Sequence, residues 1–125
     1  MCIRDRYHIE ECFKFHVDKV NKDIILCNFY DDRLYYVILD AKQNVEFYYP
    51  FEELRQTSDF IFYRKNGKLT FKNKDASYTI YDKSGKIGVD ITYKGKTHQW
   101  KGNAKSRRGS IGKLLKISLD NVVYQ

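Results

Sequence analysis

The stretch from Phe60 to Lys101 limits the possible folds more than any other part of the chain. Its apolar residues recur with a period of two. The clearest run is Lys86 to Tyr93, where Ile87, Val89, Ile91 and Tyr93 alternate with Lys86, Gly88, Asp90 and Thr92. Such alternation sends successive side chains to opposite faces of a strand and leaves one face wet. The breaks between runs carry tight-turn chemistry. Asn66-Gly67 separates "FIFYRK" from "KLTFKN", "DKSGK" at 82–86 offers Gly85 for a positive φ, and Lys94-Gly95 offers another reversal. These signals predict a meander of five short antiparallel strands.

Upstream, Ile24–Tyr30 and Leu34–Leu39 are apolar at both parities, which predicts strands covered on two sides. Val45–Tyr49 continues the pattern. Pro50, then Phe51, Glu52, Glu53 and Leu54, predicts one short helix near 50–56, with proline and acids in its first turn. Residues 9–20 fit a helical stripe of Ile9, Cys12, Phe13, His16, Val17 and Val20, but also an alternation of Phe13, Phe15 and Val17. Phe and Val pack well on a pleated surface, which favours the strand. In the tail "KLLKISLDNVVY", Leu115, Ile117 and Leu119 set against Lys116 and Ser118 predict a strand as well. The fold class expected is mainly β: a single antiparallel meander closing into a small barrel or a two-layer sandwich. A chain of 125 residues with eleven Tyr, eight Phe and one Pro suits one such domain.

Residues 1–6, Met1-Cys2-Ile3-Arg4-Asp5-Arg6, back-translate to ATG TGT ATA AGA GAC AGx, which matches a transposase-library adapter read as coding sequence. They are therefore set aside as an adapter artefact, and 7–125 is taken as a single β domain, whole or a fragment of a longer protein. No apolar run approaches the ~20 residues of a membrane-spanning helix. Cys12 and Cys27 form no CxxC or zinc pairing and leave two readings open, one disulfide or two buried thiols.

Charge is divided unevenly along the chain. Residues 7–63 hold six Lys/Arg against eleven Asp/Glu, whereas 64–117 hold fifteen against three. The densest part is "KGNAKSRRGSIGKLLK", with Lys101, Lys105, Arg107, Arg108 and Lys113 among its cations and no acid. Its Gly and Ser suggest an exposed, mobile loop, and forked arginines suit phosphate, sulfate or carboxylate. Just before it, His98 and Trp100 share a strand parity, so Trp100 is either a core residue or a flat platform beside the cations. Lys68, Lys72 and Lys86 suit protection of a sheet edge.

No set of residues assembles an acid, a base and a nucleophile. His98 with Ser106 or Ser110 forms no nucleophile motif. Asp31-Asp32 and Glu52-Glu53 read as a turn and a helix end, and "KSRRGSIGKL" lacks the spacing of a phosphate loop. His8, Cys12 and His16 would align on a helix, but on a strand they lie ~13 Å apart. No catalytic residue, metal or cofactor is assigned. The expected function is a non-enzymatic binding module whose basic C-terminal half engages an anionic partner: an acidic protein, a polyanionic glycan, nucleic acid or a membrane surface. The site would be Lys101, Lys105, Arg107, Arg108, Lys113, His98 and Trp100. Alternatives are a β-barrel carrying a small ligand in an aromatic-lined cavity, or an interaction domain of a larger protein. Self-association of the acidic half with the basic half also fits the charge pattern.

Overall fold

The computed structural model describes residues 12–28, 32–50, 59–116 and 119–125. Two sheets, antiparallel apart from one terminal strand, carry nearly all of the order. The first has the strand order β1-β2-β3-β4, comprising Cys12–Val17, Lys22–Asn28, Leu34–Leu39 and Val45–Tyr49. In the second, the meander β5 (Phe60–Tyr63), β6 (Lys68–Asn73), β7 (Ala76–Lys83), β8 (Lys86–Tyr93) and β9 (Lys96–Lys101) appears in sequence order. A final strand, β10 (Val122–Tyr124), adds in parallel to β5. The turns behave as their residues dictate: Ser84 and Gly85 take φ of 55° and 80°, and Lys94 and Gly95 take 50° and 80°. Such left-handed pairs match the twist of two-residue hairpins. Residues 12–17, ambiguous in sequence, form a strand.

Each sheet turns one parity inward. Phe13, Phe15 and Val17 of β1, Ile24 and Leu26 of β2, and Leu34, Tyr36 and Ile38 of β3 are buried. They face Phe60, Phe62, Leu69, Phe71, Ile80, Ile87 and Val89 of the second sheet in one core. A ladder of rings fills its centre. Tyr49 stacks on Phe71 (centroids 4.3 Å apart), Phe71 on Tyr78 (4.5 Å) and Tyr78 on Phe47 (5.5 Å). Neighbouring inward residues of β4 thus reach β6 and β7 in turn, so β4 runs across those strands rather than along them.

The sandwich alternative is the one realised, and the barrel is not. Among the described residues no strand belongs to both sheets, and the sheets are not closed into a barrel. The reason lies at the corner where β9 leaves its sheet. Residues 102–109 do not continue as a strand but fold along the outer edge of β1 through a 3-10 turn over Ala104–Ser106. Asn103 N–H donates to His16 C=O, and Lys14 and Arg108 exchange both backbone bonds at 2.9 Å. An irregular segment therefore occupies the edge that a barrel would pair strand to strand.

Two further expectations are settled by local chemistry. The tail begins differently from the expected strand: Ile111–Leu114 form a short helix, α1. Among the described residues strand is found again at Val122–Tyr124, while residues 117 and 118 of the expected strand lie outside the described residues. Ser110 caps the helix by accepting Lys113 N–H, and Ile111, Leu114 and Leu115 are buried at i, i+3 and i+4. The helix expected near 50–56 lies, from residue 51 onward, outside the described residues; Pro50 itself is buried after a cis Tyr49–Pro50 peptide. Of the two readings for cysteine, the disulfide is the one present. Cys12 and Cys27 are bonded across the β1–β2 pair on the outer side of the first sheet.

The far side of the sandwich is held by a buried polar group. Asn121 makes two bonds to the Leu34 backbone, donating to its C=O (3.0 Å) and accepting from its N–H (2.8 Å). It also donates to Asp59, which is ion-paired with Arg33 at 3.0 Å. Burial pushes the Asp59 carboxyl above its ordinary range, while Asn121 and Arg33 pull it back.

Candidate anion-binding face

The register of the meander decides which cations face outward. One transverse row on the outer side reads Tyr63, Lys68, Tyr81, Gly88 and Lys101 across β5 to β9. The next rows hold Ile61, Thr70, Thr79, Asp90 and Gln99, and then Lys72, Ser77, Thr92 and Thr97. Lys83 and Lys86 face each other at the hairpin end. The outward strand positions of this sheet therefore carry five lysines and a single acid, Asp90. Lys68, Lys72 and Lys86 lie on β6 and β8, inside the sheet, so protection of an edge does not account for them.

Asp90 is an uncomfortable acid. Its Oδ1 is buried and has no hydrogen-bond partner among the described residues. Burial raises its pKa, with Lys68 opposing. Because the folded value lies above the ordinary 3.8, the folded state holds the proton more tightly than the unfolded chain. Stability is therefore lost as pH rises from about 4 through the folded value. Asp90→Asn should accordingly unfold at a higher temperature than the parent at pH 7, with the gap closing near pH 4. Paired thermal melts at the two pH values check this.

The residues picked from the sequence are distributed as follows. Lys101 and Lys105 are both exposed and, with Lys19 from the β1–β2 turn, line a shallow depression of about 580 Å³. Asp18 also borders it, its carboxylate bonded to Asn103 Nδ2 at 3.1 Å. Arg108 and Lys113 are exposed, and the Arg108 guanidinium donates to Arg107 C=O. Arg107 has a different role. Its guanidinium pairs with Asp82 at 2.7 Å and lies 5.8 Å from the Phe13 ring centre. The same carboxylate accepts Ile111 N–H, so Arg107 ties the basic segment to β7 and to the start of α1. His98 and Trp100 do share a face, but it is the core-side face, opposite to that of Lys101. Trp100 is half-buried and packs against the core, whereas His98 is exposed on the edge strand.

The loop expected to be mobile is instead pinned along its backbone. Its serine does meet a histidine, though not the one considered from the sequence. His16 N–H donates to Ser106 Oγ, which donates in turn to Asn103 C=O. The His16 ring is turned elsewhere, with Nδ1 on Asp23 at 2.7 Å and Nε2 facing Asp18 at 3.8 Å. Serine and imidazole are thus not aligned as nucleophile and base. Gln43 donates to the other Asp23 oxygen, and this bond chiefly holds the Asp23 carboxyl below its ordinary range.

Sequence reasoning missed Lys19, Tyr63 and Tyr81 as members of this face. Lys19 sits in an acidic half, and the pairing of Tyr81 with Gly88 follows only from the strand register. No family model, curated protein or solved structure matches the chain.

Proposed function

We propose that this protein is a binding module without chemistry of its own, and that its basic half engages an anionic macromolecule. The observation that carries the reading is the lack of internal neutralisation. All fifteen Lys and Arg of residues 64–117 are described, and among the described residues Arg107 alone is ion-paired with a carboxylate. In the other half, Lys22 pairs with Glu46 and Arg33 with Asp59. Ordinary surfaces intersperse both signs. A sheet face with five lysines and one acid, continuous at Lys101 with the lysine-lined depression, supplies the field that steers a polyanion.

The carrier reading draws less support. It needs an enclosed aromatic-lined cavity; Tyr49, Tyr63, Phe71 and Tyr78 do border an open groove of about 460 Å³, but the rings of Tyr49, Phe71 and Tyr78 are stacked on one another. The test of the binding reading is a salt titration against heparin, duplex DNA and a single strand. At least one should bind, with affinity falling steeply in salt; each duplex phosphate neutralised contributes a slope of about −0.9 in log K against log salt. Negligible binding to all three at low salt would end the reading.

A further inference from the structure

We infer that the outer face of the six-stranded sheet is a docking surface for a linear acidic polysaccharide, with Tyr63 and Tyr81 contacting sugar rings and Lys68, Lys72 and Lys101 meeting carboxylate or sulfate groups. This rests on the reading of the protein as an anion-binding module and names the partner class and its contact residues.

The surface is built for a long, flat ligand. The row Tyr63, Lys68, Tyr81, Gly88 and Lys101 crosses five adjacent strands, a span of about 19 Å at ~4.8 Å per strand. Gly88 has a specific place in it. A Cβ there would overlap the Tyr81 hydroxyl and come within 2.8 Å of Tyr81 Cζ. The Tyr81 ring therefore leans across the Gly88 backbone and lies along the sheet. Tyr63 stands 37% exposed at the start of the row. Beside it a groove of about 460 Å³ is lined by outward-facing Tyr63, Thr70, Lys72 and Thr79 together with the core-side rings of Tyr49, Phe71 and Tyr78 and one acid, Asp59.

Three properties select the occupant. Lysines in excess over a single acid call for negative charge spread along a chain rather than at one point. The hydroxyls of Thr70, Ser77, Thr79, Thr92 and Thr97 form a polar lawn that donates to and accepts from sugar hydroxyls. Tyrosine rings pack against the C–H faces of pyranoses and keep the phenol oxygen free to hydrogen-bond. A single-stranded nucleic acid shares the charge and the stacking. The Cys12–Cys27 disulfide separates the two, because it belongs to an oxidising compartment, where acidic glycans are the abundant polyanions.

The experiment is a titration of the full chain with heparin, polygalacturonate, neutral dextran and an oligothymidylate. At least one acidic glycan should bind at least about tenfold tighter than the oligothymidylate, and dextran should not bind. Tyr63→Ala and the pair Lys68→Gln/Lys101→Gln should each weaken glycan binding by about tenfold while far-ultraviolet dichroism stays unchanged, and the lysine pair should also flatten the salt dependence. Tyr63→Phe, which keeps the ring and loses only the phenol oxygen, should weaken binding less than Tyr63→Ala, and Lys42→Gln, exposed in the β3–β4 turn of the other sheet, should bind like the parent. Glycan binding indifferent to both sheet variants would overturn the assignment of the surface. Preference for the oligothymidylate would overturn the glycan but leave the anion-binding reading standing. Binding to none of the charged probes would overturn both.

Discussion

Arg33→Met should lower the unfolding free energy by about 3–5 kcal/mol, the cost of leaving a buried carboxylate without its counter-ion. Arg33 and Asp59 side chains are each only 6% exposed, so water cannot replace the lost partner. Asn121 would remain as a donor to Asp59, but it already serves the Leu34 backbone on both sides and is neutral. The pH dependence follows from the sign of the Asp59 shift. Burial already raises that carboxyl, and Arg33 is one of the groups restraining it, so its loss raises the folded value further. The variant then loses stability as pH climbs from about 3.8 through that higher value. Its deficit relative to the parent should be largest at neutral pH and smaller near pH 4. Removing the charge as well, in Arg33→Met/Asp59→Leu, should recover part of the loss at pH 7, since an apolar pair of similar volume avoids the stranded ion. Urea unfolding at pH 4 and pH 7 measures all of this. An equal deficit at both values would mean that Arg33 acts through packing alone.

What could be read from the sequence was whatever depends on near neighbours. Three of the four hairpins of 60–101 were legible because a glycine stands at a left-handed position, Gly67, Gly85 or Gly95; at the β6–β7 turn Lys74 takes that position, with φ of 58°. The strand at 12–17 was legible because Phe15 falls off the helical stripe but alternates with Phe13 and Val17, and Phe and Val pack well on a pleated surface. The helix at 111–114 was not. In "KLLKISL", Leu115 and Leu119 satisfy a four-residue spacing as well as an alternating one, and a helix of one turn has too few residues to break the tie. The site divides along the same line. That residues 64–117 are basic is plain in the string, and that Lys68, Lys72 and Lys101 face outward follows from parity. The conversion of Arg107 into a tether was hidden, because its partner Asp82 lies 25 residues away on another element. So was the pinning of the basic loop, which looked free from its Gly and Ser content. Those residues instead let the chain run close along β1, where Gly102 meets Phe15 and Gly109 meets the Cys12 carbonyl.

That last contact makes Gly109→Ala the second severe substitution, and a direct test of how the basic segment is held. Gly109 has φ of +76°, where a side chain costs about 1–3 kcal/mol, and its new Cβ would overlap the Cys12 backbone oxygen. A carbonyl within a paired strand cannot swing away as a long side chain can, so the segment itself must lift. Gly95→Ala supplies the control, because Gly95 has φ of +80° and open space around its would-be Cβ. The two variants share the backbone strain and differ only in the collision. Gly95→Ala should therefore cost about 1 kcal/mol, and Gly109→Ala about 3 kcal/mol or more. The excess should appear locally first. Lys14 and Arg108 exchange two backbone bonds beside Gly109, so amide exchange at both residues should quicken in Gly109→Ala before global unfolding begins. Protection at Val89 and Ile80, in the middle of the second sheet, should change only with global stability. If Lys14 and Arg108 stay as protected as in the parent, the basic segment is held by something other than its pairing with β1. Arg107–Asp82 would then be the tether to remove, by Asp82→Asn.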